Sequence, residues 1–293
     1  MERTGTDIGP LRSVGICGSG IMGSGLAEVA TKAGFTVMVR SRTSLGGEEL
    51  LATLARSLDR QVSKGKMSAE DRDAAMSRVS TTTDVAKVAA CDLVIESVVE
   101  NLDTKRALFT ELGEHAAEHT ILATNTSTLP VVDMAMASGR ADRVCGIHFF
   151  NPAPTMRLVE IVRPITASDH TIQTATQFAL SCGKDPIAVA DRAGFVVNAL
   201  LFPYLNRAVR LLEQKTATME AIDAGMKGGC NFPMGPFELL DLVGLDTSVA
   251  ILEALYNESR DNNDSPAPTL RRLVEAGRLG RKTGRGFYDY DAK

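Results

Sequence analysis

The sequence predicts an α/β chain in two parts, a half built on a parallel sheet with covering helices and then a half made of helices alone. Three observations carry this. Apolar runs of strand length alternate with helix-period stretches from about residue 11 to residue 190, as repeated βα units require. A glycine motif, Gly18-Ser19-Gly20-Ile21-Met22-Gly23, stands between the first apolar run and the first helix-like stretch. Beyond residue 191 the sustained periodicity is helical.

The bulk properties set bounds. With 293 residues, 44% of them hydrophobic, the chain can bury the core of one large domain and one smaller one. A formal charge of -4 argues against a broad nucleic-acid surface. Five cysteines are scattered singly, with no CxxC pair, which suits reduced core thiols and no metal centre. No apolar run approaches the length of a membrane span and no signal-like segment follows the N-terminus, so the expectation is a cytoplasmic protein.

Residues 1–10 are polar and turn-rich and read as a flexible leader; residues 11–190 form the predicted nucleotide-binding domain. Val14-Gly15-Ile16-Cys17 is its first strand, and Leu26, Ala27 and Ala30 give the next helix a small-residue face. Between them the motif reads as a dinucleotide loop of Rossmann type. Gly18 permits the tight turn, Gly20 lets a pyrophosphate approach the helix N-terminus, and Gly23 lets helix and strand pack closely. The second strand, Phe35 to Val39, ends in Arg40-Ser41-Arg42. NAD would want a carboxylate there, whereas two guanidiniums and a hydroxyl suit a 2'-phosphate, so NADP(H) is favoured over NAD(H). The alternative is that Arg40 points elsewhere and Arg42 is solvated.

Residues 47–80 read as a helical excursion off the sheet, with Leu50, Leu51, Leu54, Leu58 and Val62 on one face and a break at Lys64-Gly65-Lys66. Two readings of Lys64 are open, a contact for an anionic substrate handle or a solvated turn lysine. A strand from Asp92 to Ser97 follows, with Glu100 and Lys105 at its carboxyl end, where open α/β sheets place ligands. A helix is predicted from Thr104 to Ala117 and another strand from Thr120 to Thr124. The loop after it carries Ser127, either a substrate-binding hydroxyl or a helix cap.

The next strand ends at His148, a turn forms around Asn151-Pro152 and Pro154, and a second β run closes on Glu160. A histidine at a strand end with a carboxylate twelve residues on is the arrangement that would fix one tautomer for proton transfer. The other reading is a core histidine and a surface glutamate. A helix from Ser168 to Cys182 and a strand from Pro186 to Val189 complete this part, and Asp191 to Gly194 marks the change of domain.

Residues 191–293 form the predicted helical domain. Phe195 to Glu213 is an apolar helix with a kink expected at Pro203, and Asn198 near its start is an amide that needs a hydrogen-bond partner. A second helix starts at Thr218 and is closed by Gly228-Gly229; further helices follow around Pro236 and from Leu245 to Asn257. The stretch from Leu270 to Phe287 reads as a basic tail, either solvated or bringing Lys282 toward phosphate. So few and so apolar a set of helices predicts completion by a second copy of the chain, a homodimer.

Across nearly its whole length the chain resembles the short-chain L-3-hydroxyacyl-CoA dehydrogenase family, including bacterial 3-hydroxybutyryl-CoA dehydrogenases. The likeness runs through GSGIMGSG, VVENLDTKRALF, TNTSTLP, GIHFFNPAPTMRLVE, DRAGFVVN, NFPMGPFELLDLVGLD and GRKTGRGFYDY. The resemblance implies a nicotinamide cofactor, an acyl-CoA substrate held in the cleft between the domains, and a dimer made by the helical domain. It also implies His148 as acid/base, Glu160 as its partner, and Ser127 and Asn198 as substrate contacts. Cofactor contacts would be Gly18 to Gly23, Glu100, Lys105, Ser127, Asn151 and Lys282, with Ser57, Lys64 and Ser127 facing the CoA portion. The acidic residue usual after the second strand is replaced by Ser41 between two arginines, the departure that favours NADP(H). Two rival readings are a dehydrogenase of the same fold acting on a free hydroxy acid, of the L-gulonate 3-dehydrogenase type, and a non-catalytic NADP-binding protein.

Overall fold

The computed structural model describes residues 11–290, so the leader expected at residues 1–10 lies outside the described residues. The chain divides into two compact units between Asp191 and Arg192.

The first unit is an eight-stranded sheet in the order β3-β2-β1-β4-β5-β6-β7-β8. Its strands are β1 (Ser13–Cys17), β2 (Thr36–Arg40), β3 (Val79–Thr82), β4 (Leu93–Glu96), β5 (Ile121–Thr124), β6 (Val144–Phe149), β7 (Leu158–Arg163) and β8 (Asp185–Ala190). The first six are parallel, β7 turns back antiparallel to β6, and β8 runs parallel to β7. Strands β4, β5 and β6 are buried at every position, which is why they read as unbroken apolar runs. The Asp92 carboxylate fixes the start of β1 by accepting from the amides of Arg12 and Ser13, each at 2.8 Å.

The helices of this unit are α1 (Ile21–Lys32), α2 (Ser44–Ser63), α3 (Ala69–Ser77), α4 (Val85–Ala89), α5 (Leu102–His115), α6 (Val131–Ala137) and α7 (Asp169–Ser181). The helical excursion is a pair, α2 and α3, but its predicted limits of 47–80 need correction. The Thr43 hydroxyl caps α2 by accepting from the Gly46 amide, so the helix starts before residue 47. At the other end α3 stops at Ser77, and the β-branched run Val79-Ser80-Thr81-Thr82 pairs with β2 as the edge strand. The short α4 after it, capped by Asp84, was not predicted. Asn101 caps α5, so this helix begins at Leu102 rather than Thr104.

The second unit holds α8 (Val197–Glu213), α9 (Met219–Cys230), α10 (Pro236–Val243), α11 (Leu245–Ser259) and α12 (Pro268–Glu275) around a core that includes Phe202, Leu205, Phe237 and Leu252. Helix α9 runs through Gly228-Gly229 instead of closing there. It ends at Asn231, whose φ of 56° is the left-handed stop that asparagine tolerates. The predicted basic tail is also corrected: Pro268 opens α12, and the residues after it are tied down rather than free. Asp241 accepts from the amides of Phe287 and Tyr288 at 2.9 Å, and Asp223 accepts from the Phe237 amide and the Tyr288 hydroxyl. A Cβ on Gly286 would sit 2.0 Å from an Asp241 oxygen, so glycine is required at this clamp.

Among the described residues no helix is long and apolar enough to cross a membrane. The five cysteines are free thiols; Cys17, Cys91 and Cys145 are buried, and Cys230, against the expectation of a core thiol, is exposed.

Candidate active site

The loop between β1 and α1 is built for close approach. Gly18 has φ 125°, and a Cβ there would lie 2.3 Å from the Ser97 carbonyl; a Cβ on Gly23 would lie 1.9 Å from the Gly18 carbonyl. Around Gly20 nothing lies within 4 Å of that position, so this side of the turn is open. No side chain caps α1 and its first turn has no acidic residue, which leaves the amide end of the helix to an anion. Ile21 is exposed and Met22 half-buried beside it. This geometry fits a dinucleotide pyrophosphate.

At the end of β2 the three predicted residues part company. Ser41 is buried and its hydroxyl lies 2.9 Å from that of Ser19, tying the glycine loop to the second strand. Arg42 is exposed, and Arg40 is half-buried with its Nε enclosed and unpartnered.

The chemistry gathers at the turn-back of the sheet. His148 on β6 and Glu160 on β7 are direct cross-strand partners in the antiparallel register, so both side chains leave the same face. His148 Nδ1 lies 2.7 Å from Glu160 Oε2, and both residues are buried. Glu160 as a carboxylate accepts from Nδ1–H, which leaves Nε2 as the ring's basic nitrogen. Ser127 Oγ, in the loop after β5, is 3.0 Å from Nε2. The Phe150 ring packs at 4.6 Å from the imidazole, and the Asn125 side chain holds the Phe149 amide at 2.8 Å. Of the two readings of Ser127, the helix cap is not what its hydroxyl makes: Pro130 precedes the first turn of α6, and Asp191 accepts from the Val131 and Val132 amides.

Glu100 stands behind the serine. One of its oxygens accepts from the Thr126 hydroxyl and, at 3.1 Å, from the Ser127 amide. The other lies 3.1 Å from the Lys105 ammonium, which is also bonded to both oxygens of Glu96 at 2.7 and 2.8 Å. Burial works against the Glu100 carboxylate, but Lys105, the Thr126 hydroxyl and the Ser127 amide outweigh it and hold its pKa below the usual value of 4.5. Its side chain keeps 41% of its surface open to solvent.

The remaining predicted residues have surroundings of their own. Ser57 on α2 gives its hydroxyl to the buried Glu28 on α1 at 2.7 Å, a helix-to-helix bond. Lys64 is exposed at the C-terminal end of α2, and Asn151 is exposed in the turn between β6 and β7. In the second unit Asn198 is buried in the first turn of α8, and Lys282 is half-exposed and paired with both oxygens of Asp246 at 2.6 and 2.7 Å.

Sequence reasoning missed Glu96, Thr124 and Thr126. The signal for the first was available: a carboxylate closing the apolar run Leu93-Val94-Ile95, nine residues before a lysine.

A family model described as 3-hydroxyacyl-CoA dehydrogenase, NAD binding domain, matches residues 13–192, and one described as 3-hydroxyacyl-CoA dehydrogenase, C-terminal domain, matches residues 194–290. The mitochondrial hydroxyacyl-coenzyme A dehydrogenase of Homo sapiens is 42% identical over 291 residues, covering 96% of this chain and 91% of the relative. The 3-hydroxybutyryl-CoA dehydrogenase of Mycobacterium tuberculosis is 42% identical over 287 residues, covering 96% and 99%. Among solved structures, the (S)-3-hydroxybutyryl-CoA dehydrogenase of Ralstonia eutropha superposes with a TM-score of 0.93 at 41% identity, covering 96% of this chain and 99% of that one.

Proposed function

The chain belongs to the 3-hydroxyacyl-CoA dehydrogenase family, and on that premise we propose how its own residues perform the reaction and which cofactor they prefer. The enzyme is an NAD(P)-dependent 3-hydroxyacyl-CoA dehydrogenase, of the kind that interconverts 3-hydroxybutyryl-CoA and acetoacetyl-CoA. The observation that carries the mechanism is the chain of contacts Ser127–His148–Glu160, with the imidazole between a hydroxyl and a buried carboxylate.

The nicotinamide cofactor, when bound, supplies a hydride acceptor in oxidation and a hydride donor in reduction. Gly18 to Gly23 hold its pyrophosphate, with Glu100 and Asn151 as further contacts. In the oxidative direction neutral His148 takes the C3 hydroxyl proton on Nε2, and Glu160 keeps the ring in that tautomer and stabilises the imidazolium. In reduction the same nitrogen returns the proton. Ser127 orients the C3 oxygen, and Asn198 is assigned to the thioester carbonyl from its match to the family motif. Ser57 and Lys64 are assigned to the CoA portion on the same basis, and Lys282 to the cofactor.

The cofactor preferred is NADP(H). The end of β2 offers no carboxylate to a ribose and presents two guanidiniums, one enclosed with an unpartnered Nε and one in solvent. A cytoplasmic homodimer completes the reading. The second unit exposes Leu200, Phe232 and Leu242 at 72%, 43% and 49%, apolar surface of the kind a partner copy covers, and the free thiols suit a reducing compartment.

Initial rates of acetoacetyl-CoA reduction with NADPH and NADH side by side test the proposal. Turnover with NADPH preferred is expected, and Arg40→Ala combined with Arg42→Ala should weaken NADPH about tenfold more than NADH. Equal losses with both would show that the arginines do not read the 2'-phosphate. Absence of turnover on any CoA thioester would contradict the substrate assignment.

A further inference from the structure

Glu96 is a fully buried carboxylate with no part in the reaction as described above. It closes β4 at the sheet's carboxyl end, and all its accepting capacity is in use. Oε1 takes the Val98 amide at 2.6 Å, Oε2 takes the Thr124 hydroxyl at 2.6 Å, and both oxygens take the Lys105 ammonium. Its own carbonyl accepts from the Asn125 amide at 2.9 Å. The loop after β4, helix α5 and the end of β5 are therefore pinned to one side chain, and the loop after β5 to its carbonyl.

Lys105 is 1% exposed, and an ammonium has three donors. Three carboxylate oxygens surround it: the two of Glu96 and Oε2 of Glu100 at 3.1 Å. The ammonium joins the buried Glu96 carboxylate to that of Glu100, and Glu100 holds the Ser127 amide and the Thr126 hydroxyl. Ser127 then meets His148.

We propose that Glu96 is a positioning residue for the dehydrogenase reaction, acting through Lys105 and Glu100 to set the place of Ser127 beside His148. It touches no reacting atom. A buried ammonium shared by two carboxylates sits where their attractions balance, and that balance places Glu100. Without the charge on Glu96, Lys105 has Glu100 as its remaining anion and draws it off the Ser127 amide. The inference rests on the reading of Ser127–His148–Glu160 as the reacting group.

The test uses the full-length enzyme with acetoacetyl-CoA, at saturating cofactor so that a change in cofactor affinity does not enter kcat. Glu96→Gln keeps the shape: its oxygen accepts from the Val98 amide and its NH2 donates to the Thr124 hydroxyl; it should lower kcat about 100-fold, the effect of a displacement of about an ångström at a reacting group. KM for the thioester should stay within about threefold, because an interaction acting on the reacting geometry is removed and substrate binding is not. Because Glu96→Gln strands a buried ammonium, a double variant, Glu96→Gln with Lys105→Met, removes both charges. The double variant should recover thermal stability toward that of the parent and keep the depressed kcat, because Glu100 has then lost the ammonium that places it. Recovery of kcat together with stability would make the network purely structural and overturn the proposal, as would a Glu96→Gln enzyme with parental kcat. His148→Gln in parallel separates the two readings: if it retains activity, the reacting group itself has been misassigned. If His148→Gln is inactive and Glu96→Gln is not, the error lies with Glu96 alone.

Discussion

Both units bury carboxylates at points that hold the structure together, and they satisfy them differently. In the second unit Asp223 and Asp241 are each 1% exposed and meet neutral donors: backbone amides of α10 and of the C-terminal segment, with the Tyr288 and Tyr290 hydroxyls. In the first unit Glu96 meets an ammonium and Glu160 an imidazole. A carboxylate ringed by amides fixes a fold, because none of its partners changes charge near neutral pH. A carboxylate on an imidazole sets where a proton can go. The difference between the units is thus one between holding chain and holding the charged groups of the site, although burial is equal.

That comparison is broken most severely by Glu160→Gln. The amide NH2 can donate to Nδ1 and so hold the proton on Nε2, the nitrogen that must accept the substrate's proton. Loss of about a thousandfold in kcat with thermal stability nearly unchanged is expected, together with a displaced pH-rate profile. A parental profile would separate Glu160 from the histidine. Asp223→Ala is the opposite case. It strands the amides of Phe237 and Glu238 and the Tyr288 hydroxyl, so unfolding free energy should fall by about 3 kcal/mol while kcat of the folded enzyme is kept. Equal damage to activity and stability would erase the distinction.

The smallest expected effect is a difference in pH response. Glu100 is held below its usual 4.5, so its contribution to stability is present above that pH and is lost as pH falls through the lower, folded value. Tyr288 is the reverse: burial, then the hydrogen bond to Asp223, push its hydroxyl above the usual 10.0. The folded state keeps a proton that the unfolded chain gives up, and stability declines as pH rises past 10.0. Amide hydrogen exchange at the two pH extremes should loosen the Ser127 loop in acid and the C-terminal segment in alkali; the same pattern at both would contradict the assignment.

The legible parts of the molecule were those with a local physical signature. The glycine loop declares itself because Gly18 and Gly23 leave no room for a Cβ. His148 near the end of β6 and Glu160 inside β7 stand on either side of a proline turn, and the antiparallel register pairs them, although β7 runs on past Glu160 to Arg163. Edge strand β3 was hidden, since a four-residue strand with no fully buried position has no alternation to read against the helix before it. Helix α12 was hidden by the basic residues of its solvent face, although Pro268 and Leu270 marked its start and its inward side. The Glu96–Lys105–Glu100 network could not be read, because it joins a strand end, a helix turn and a loop, and neither composition nor period reports that meeting. The Ser57–Glu28 bond between α2 and α1 was hidden for the same reason, since the two residues are far apart in the chain.

The measurement that bears most directly on the account is kcat of purified His148→Gln in acetoacetyl-CoA reduction, with cofactor binding followed separately by nicotinamide fluorescence. Loss of about a thousandfold with cofactor affinity and thermal stability intact is predicted, since a glutamine fills the site and cannot take up or return the proton. A turnover close to that of the parent enzyme would contradict His148 as the acid/base.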